Sequence, residues 1–141
     1  WAYAKTAILF FDALIQCWDE TYRQNTMRPE TAINKYVDPN WRPHLQTPPF
    51  PEYTCGHSTC SAAAAETLTS VFGDNFSYTD TTELEFGIKS RSYPSFRAAA
   101  EENNWARYYG GIHFHRSCVI STEYGRKVGA LVVERLKMKK A

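Results

Sequence analysis

Tyr53-Thr54-Cys55-Gly56-His57-Ser58 places an imidazole directly after a glycine, where a polar, proline-rich stretch gives way to Thr59-Cys60-Ser61-Ala62-Ala63-Ala64-Ala65. That switch predicts a loop running into the N-terminus of a helix. Free backbone N–H groups at such an end, backed by the positive end of the helix dipole, attract phosphate-like anions. Gly56 lets the backbone come close to a ligand, and His57 stands beside it as a proton donor. Taken alone, Gly-His is a common pair that a helix start explains without any chemistry.

Two further segments bear on that choice. Arg107-Tyr108-Tyr109-Gly110-Gly111-Ile112-His113 sets a guanidinium and an imidazole six positions apart across a Gly-Gly break, and Thr26-Met27-Arg28-Pro29 brings a second fixed charge to a helix start. Two Arg, two His and a helix N-terminus compose an oxyanion site. Arg is always charged and forks onto paired oxygens, whereas His titrates near neutrality and can attack as a nucleophile.

These blocks resemble the superfamily that joins vanadium-dependent haloperoxidases to acid phosphatases and type 2 phosphatidic acid phosphatases. Its pattern is Lys, six residues, Arg-Pro; then Pro-Ser-Gly-His; then Ser-Arg, five residues, His, three residues, Asp. In this chain the blocks stand in the same order as Thr21 to Arg28-Pro29, as Thr54-Cys55-Gly56-His57, and as Ala106-Arg107 through His113 to Ser117. The stretch Thr47-Pro48-Pro49-Phe50-Pro51-Glu52-Tyr53 is most similar to the soluble bacterial members. Three positions depart: Thr21 stands where the family has its oxyanion Lys, Cys55 where it has Ser, and Ser117 where it has the Asp that orients the second His. Arg23 is a nearby cation that would substitute for the Lys if the helix turned it inward. Cys55 keeps a backbone N–H, but its thiol is a weaker hydrogen-bond partner than a hydroxyl. Ser117 can accept a hydrogen bond from His113 without stabilising an imidazolium as a carboxylate does.

The resemblance implies an all-α helical bundle with long Pro-rich and polar connecting loops, the C-terminal catalytic half of a larger helical protein, in a periplasmic or secreted setting. It implies a phosphate- or vanadate-binding set of Arg28, Cys55, Gly56, Arg107 and Thr21 around a catalytic set of His113, His57 and Ser117. In a phosphomonoester hydrolase, which requires no cofactor, His113 attacks phosphorus to form a phosphohistidine. His57 protonates the leaving alkoxide and then activates water, so the two imidazoles need opposite protonation states. In a vanadium-dependent haloperoxidase the cofactor is vanadate, His113 bonds the vanadium, and the substrates are peroxide and halide. The residues favour the hydrolase, because hypohalous acid would form beside the Cys55 thiol and Thr21 removes a cation suited to polarising peroxide. A non-catalytic anion-binding or scaffold domain is a third reading, consistent with three altered pocket positions.

A length of 141 residues, 43% of them hydrophobic, suits a single domain spanning 1–141. A formal net charge of +1 gives no case for nucleic acid, and Lys137, Lys139 and Lys140 read as a helix C-terminus favoured by its dipole. No apolar run approaches the ~20 residues of a transmembrane helix; the longest, Ala7 to Phe11, reads as a core patch. The chain lacks an initiator Met and a signal peptide, which reads as a processed chain or a fragment, associating with missing N-terminal helices or as a homo-oligomer. Cys17, Cys55, Cys60 and Cys118 lack zinc-ligand spacing and read as buried free thiols, with a disulfide as the alternative.

The elements that must position these groups read as helical throughout. Ile8, Phe11, Ile15, Trp18 and Tyr22 give residues 1–26 a helical apolar face, and Pro29 suits the first turn of a short helix. Five prolines between residues 35 and 54 forbid regular helix, so that this loop is a rigid approach to Gly56-His57 or a stiff surface connection. A helix from His57 to Phe72, a loop from Asp74 to Pro94 with one helical turn around Thr81 to Ile88, and a Ser95-capped helix reaching Trp105 follow. Val119, Ile120, Tyr124, Val128, Leu131, Val132 and Leu136 then form the apolar face of a last helix. His44 and His115 read as surface or supporting groups, Asp12, Asp19 and Glu20 as a solvated face, and Trp18, Trp41 and Trp105 as core or pocket walls.

Overall fold

The computed structural model describes residues 1–137, so Lys139 and Lys140 lie outside the described residues. The described residues fold as five helices, α1 (Ala2–Gln24), α2 (Pro29–Tyr36), α3 (Gly56–Phe72), α4 (Phe96–Tyr109) and α5 (His115–Arg135), with one small hairpin, β1 (Tyr78–Asp80) and β2 (Arg91–Tyr93), before α4. Pro29 opens α2, where a missing N–H costs nothing. Ser95 caps α4 by accepting the Ala98 N–H at 3.1 Å. α4 runs past Trp105 to Tyr109, since nothing before Gly110 interrupts it. No helix of the described residues is long and apolar enough to cross a membrane.

The helical periods hold, but the large apolar side chains do not mark the packed faces. Ile8, Phe11, Ile15, Trp18 and Tyr22 are exposed, and of the Ala7–Phe11 run only Leu9 enters the core. The buried stripe of α1 is Lys5, Leu9, Ala13, Cys17 and Thr21. On α5 the buried residues are Ser117, Cys118, Ser121, Thr122, Gly125 and Gly129, while the expected apolar face is half-buried and Leu131 exposed. Small residues explain both corrections. A Cβ on Gly125 would run into the Thr59 carbonyl, and one on Gly129 would lie 2.9 Å from the Ala63 carbonyl oxygen, so α3 and α5 cross almost backbone to backbone. Leu9, Ala13, Cys60 and Ala63 form the central cluster, with Leu14, Val128 and Val132 packed around it.

The segment expected as a loop from Asp74 to Pro94 has its helical turn, a 3-10 turn at Leu84–Phe86, but inside an antiparallel hairpin pairing Tyr78 with Tyr93 and Asp80 with Arg91. Stacking of Phe96 against Phe76 and Tyr78, at 5.4 and 5.2 Å between ring centroids, seats it on α4. Arg97 forks onto Glu66 at 2.9 and 2.6 Å and ties α4 to α3.

The proline-rich loop holds the two ends of the future site together. The Leu45 N–H donates to the Gly110 carbonyl at 3.0 Å, and Trp41 and Pro43 pack against Gly111, whose φ of +75° and lack of a Cβ that stacking both require glycine. Further along, the Glu52 N–H donates to the Thr26 carbonyl at 3.0 Å and the Tyr53 N–H to the Thr26 hydroxyl at 2.7 Å. The loop is thus laced both to the segment before Arg28 and to the turn before His113.

Candidate functional site

Arg28 is the N-cap of α2 in extended conformation, which turns its side chain off the helix and into the protein. Its Nε donates to the Phe50 carbonyl at 2.8 Å, and its Nη1 donates to the Ile112 carbonyl at 2.8 Å and meets His113 Nε2 at 3.0 Å. A guanidinium only donates, so His113 Nε2 carries a lone pair and Nδ1 the proton. That Nδ1 lies 3.0 Å from Glu52 Oε1. Across the pocket, Arg107 Nη1 lies 3.3 Å from His57 Nε2, which assigns His57 the same tautomer. Among the described residues, Arg28 Nη2 and Arg107 Nε are buried without a hydrogen-bond partner. Buried guanidinium N–H groups are costly to leave unpaired; one belongs to the arginine that meets His113 and the other to the arginine that meets His57.

The α3 N-terminus completes the cage with one correction. The Cys55 N–H, expected to face an anion, donates instead to Ser121 Oγ at 2.9 Å. The N–H groups of Gly56, His57 and Ser58 remain without carbonyl partners inside the helix. A Cβ at Gly56 would meet nothing nearer than Cys17 Sγ at 3.8 Å, so the protein itself does not demand glycine there and the backbone stays open to a ligand. All four cysteines are free and buried. The Cys118 thiol, opposed by burial, and then the His113 ring and the Ser58 hydroxyl, draw the Cys55 pKa well below that of an ordinary thiol. Cys55 is thus an acidic thiol at the pocket floor.

Two expected contacts are replaced. Thr21 is fully buried, and its hydroxyl accepts the Thr54 N–H at 3.1 Å while lying 3.3 Å from the Thr54 hydroxyl; it braces the loop from behind. Arg23 does not reach inward, being exposed and paired with Asp19 at 2.9 Å. Ser117 does not accept from His113; it donates to Glu52 Oε2 at 2.8 Å. Glu52, 2% exposed, was not singled out among the candidate residues. Its one signal is a lone carboxylate among Phe50, Pro51 and Tyr53, three residues before Cys55.

The imidazoles titrate in opposite directions. Burial lowers the His113 pKa, but the Cys55 sulfur and the Glu52 carboxylate outweigh it and leave it raised. Burial and then the Arg107 charge lower that of His57. Beside His57 opens a mainly apolar cavity of about 430 Å³, walled by Phe10, Leu14, Trp18 and Phe50. Trp18 is therefore a pocket wall, while Trp105 packs at a tilt against the exposed His115, 5.1 Å between ring centroids. His44 is exposed as well.

The fold is a helical bundle that gathers two Arg, two His and a helix N-terminus in one region. A family model described as the VCPO second helical-bundle domain matches residues 34–140. The solved structure of a bacterial vanadium-dependent iodoperoxidase is 51% identical with a TM-score of 0.96, over 99% of this chain and 34% of that one. The holo and apo forms of a bacterial vanadium-dependent chloroperoxidase are 22% identical with TM-scores of 0.78 and 0.79, over 93% of this chain and 35% and 36% of theirs, and share the fold. Comparison with curated proteins gave no match. The chain belongs to the VCPO second helical-bundle domain family, within the vanadium haloperoxidase superfamily. It spans about a third of the length of these solved structures.

Proposed function

We propose that this chain carries the vanadate site of a vanadium-dependent haloperoxidase, with Arg28, Arg107 and the α3 N-terminus holding the oxyanion and His113 Nε2 bonding the vanadium. The observation that carries the reading is the pair of buried, unpartnered guanidinium N–H groups, one on the arginine that meets His113 and one on the arginine that meets His57. The donor set fits a tetrahedral oxyanion, since N–H groups from two arginines and the helix N–H groups can be shared among its oxygens. Bound vanadate supplies the Lewis-acidic centre at which peroxide becomes an oxidant for halide. Arg28 and Arg107 would neutralise the oxygens, and the tautomer of His113 leaves a lone pair on Nε2 that would bond the ligand in place of the Arg28 Nη1 contact. Neutral His57 can take a proton on Nε2 from an arriving peroxide, and the apolar cavity beside it limits competing water.

Phosphomonoester hydrolysis is the second reading, and Thr21 favours it: with no Lys at that position, one cation for polarising peroxide is missing. Against it, hydrolysis needs a charged His57 to protonate the leaving group, whereas burial and the Arg107 charge lower the His57 pKa. The test is to assay the vanadate-loaded full-length protein for peroxide-dependent halogenation of a phenol dye, beside phosphomonoester hydrolysis by the vanadate-free protein. Halogenation well above free vanadate, abolished by His113→Ala with the helical circular dichroism intact, is expected. Phosphate release without halogenation would move the assignment to the hydrolase, and neither activity, with no vanadate bound, to a non-catalytic domain.

A further inference from the structure

We infer that Glu52, from the proline-rich loop, is the positioning carboxylate of this site, doing for His113 what Ser117 cannot. Four contacts converge on it. One oxygen, Oε1, takes the His113 Nδ1–H at 3.0 Å and the Phe114 N–H at 2.9 Å, while Oε2 takes the Ser117 hydroxyl at 2.8 Å. The loop holds Glu52 from behind, through its own N–H to the Thr26 carbonyl at 3.0 Å. Every group facing the carboxylate donates, so the ionised form is satisfied although it is almost fully buried.

The geometry fixes the ring from both sides. Arg28 donates to Nε2 and Glu52 accepts from Nδ1, so one tautomer and one ring plane satisfy both partners. Ser117 is a step removed, in contact with the carboxylate rather than the ring, and holds the second oxygen in place. The proline-rich loop is therefore part of the site: it delivers Gly56-His57 at one end and the carboxylate behind His113 within the same few residues.

The experiment is nitrogen NMR of the His113 ring at a pH where it is neutral, with vanadate affinity by calorimetry, in the wild-type chain, Glu52→Gln, and Glu52→Gln combined with Ser117→Asp. The wild type is expected to show a protonated Nδ1 and a bare Nε2. Glu52→Gln, which keeps the shape, should shift the Nδ1–H resonance and weaken vanadate by about tenfold or more, in line with supporting groups around ligand histidines. Adding Ser117→Asp should recover most of that affinity by returning a carboxylate to the ring. A wild-type proton on Nε2, or an unshifted resonance and unchanged vanadate affinity in Glu52→Gln, would overturn the assignment. The affinity arm rests on the vanadate reading while the NMR arm does not: a wild type with the expected tautomer that binds no vanadate retains Glu52 as the positioning group and removes only the ligand.

Discussion

Cys55 is a buried thiol whose pKa is drawn down beside the proposed oxyanion site. Its pKa is drawn down by Cys118, despite burial, and by His113 and Ser58, which favours a sulfur anion facing the pocket cations. An incoming oxyanion must compete with that sulfur for His113 and Arg28. Replacing Cys55 by Ser, which restores a neutral hydroxyl, is expected to strengthen vanadate binding by roughly threefold to tenfold, a like-charge contact relieved in a half-shielded site. Calorimetry at fixed pH checks it; unchanged or weaker binding would mean that the sulfur stays protonated. The His113 ring gives a second prediction at this scale. Bonding vanadium requires a bare Nε2, and the raised pKa of His113 keeps the ring charged to a higher pH than an ordinary imidazole, above 6.5. Vanadate affinity should therefore fall as pH drops through that raised value. The sign for stability is opposite: a raised folded-state pKa stabilises the charged ring, so this contribution is complete below the unfolded value and disappears as pH rises through the folded one. Melting temperatures with and without vanadate should diverge as pH rises, and parallel curves would contradict the assignment of His113.

The elements meet through small residues. α5 lies against α3 through Gly125 and Gly129, and α1 reaches α3 through Ala13 and Cys17. Gly125→Ala should cost at least ~3 kcal/mol, at or beyond the upper end of core overpacking, because the new methyl meets a backbone carbonyl that no rotamer change can move. A chemical-denaturation midpoint checks it, and a midpoint within error of wild type would mean that the crossing is looser than the structure shows. This packing explains what the sequence discloses about the fold. Helix positions follow from prolines, caps and glycines: Pro29, Ser95 and Gly73 mark real ends. Which face packs does not follow, because Ile8, Phe11 and Ile15 carry the periodic hydrophobicity while Lys5, Ala13, Cys17 and Thr21 carry the contact. The hairpin escapes notice for another reason. Its strands hold three residues each without a tight-turn dipeptide, and aromatic contacts with Phe96 that only the fold brings together stabilise it.

For the whole molecule, the bundle brings together groups from four separate stretches of chain: Arg28 at α2, Glu52 and the α3 start, Arg107 at the end of α4, and His113 before α5. The two Arg and two His are legible from their types and order. Glu52 is not, since nothing local ties a loop carboxylate to a histidine 61 positions away. Nor is the withdrawal of Thr21 and the Cys55 N–H, whose partners Thr54 and Ser121 become neighbours only once α1 and α5 have packed on α3. The chain also spans about a third of the length of its solved relatives and leaves Ile8, Phe11 and Ile15 exposed along α1. The most direct measurement of the central claim is a crystal structure of the full-length protein soaked with vanadate. The expected result is vanadium bonded to His113 Nε2, its oxygens held by Arg28, Arg107 and the N–H groups of Gly56 and His57, with Glu52 still on Nδ1. Vanadium bound elsewhere, or a pocket that stays closed around Cys55 at saturating vanadate, would contradict it.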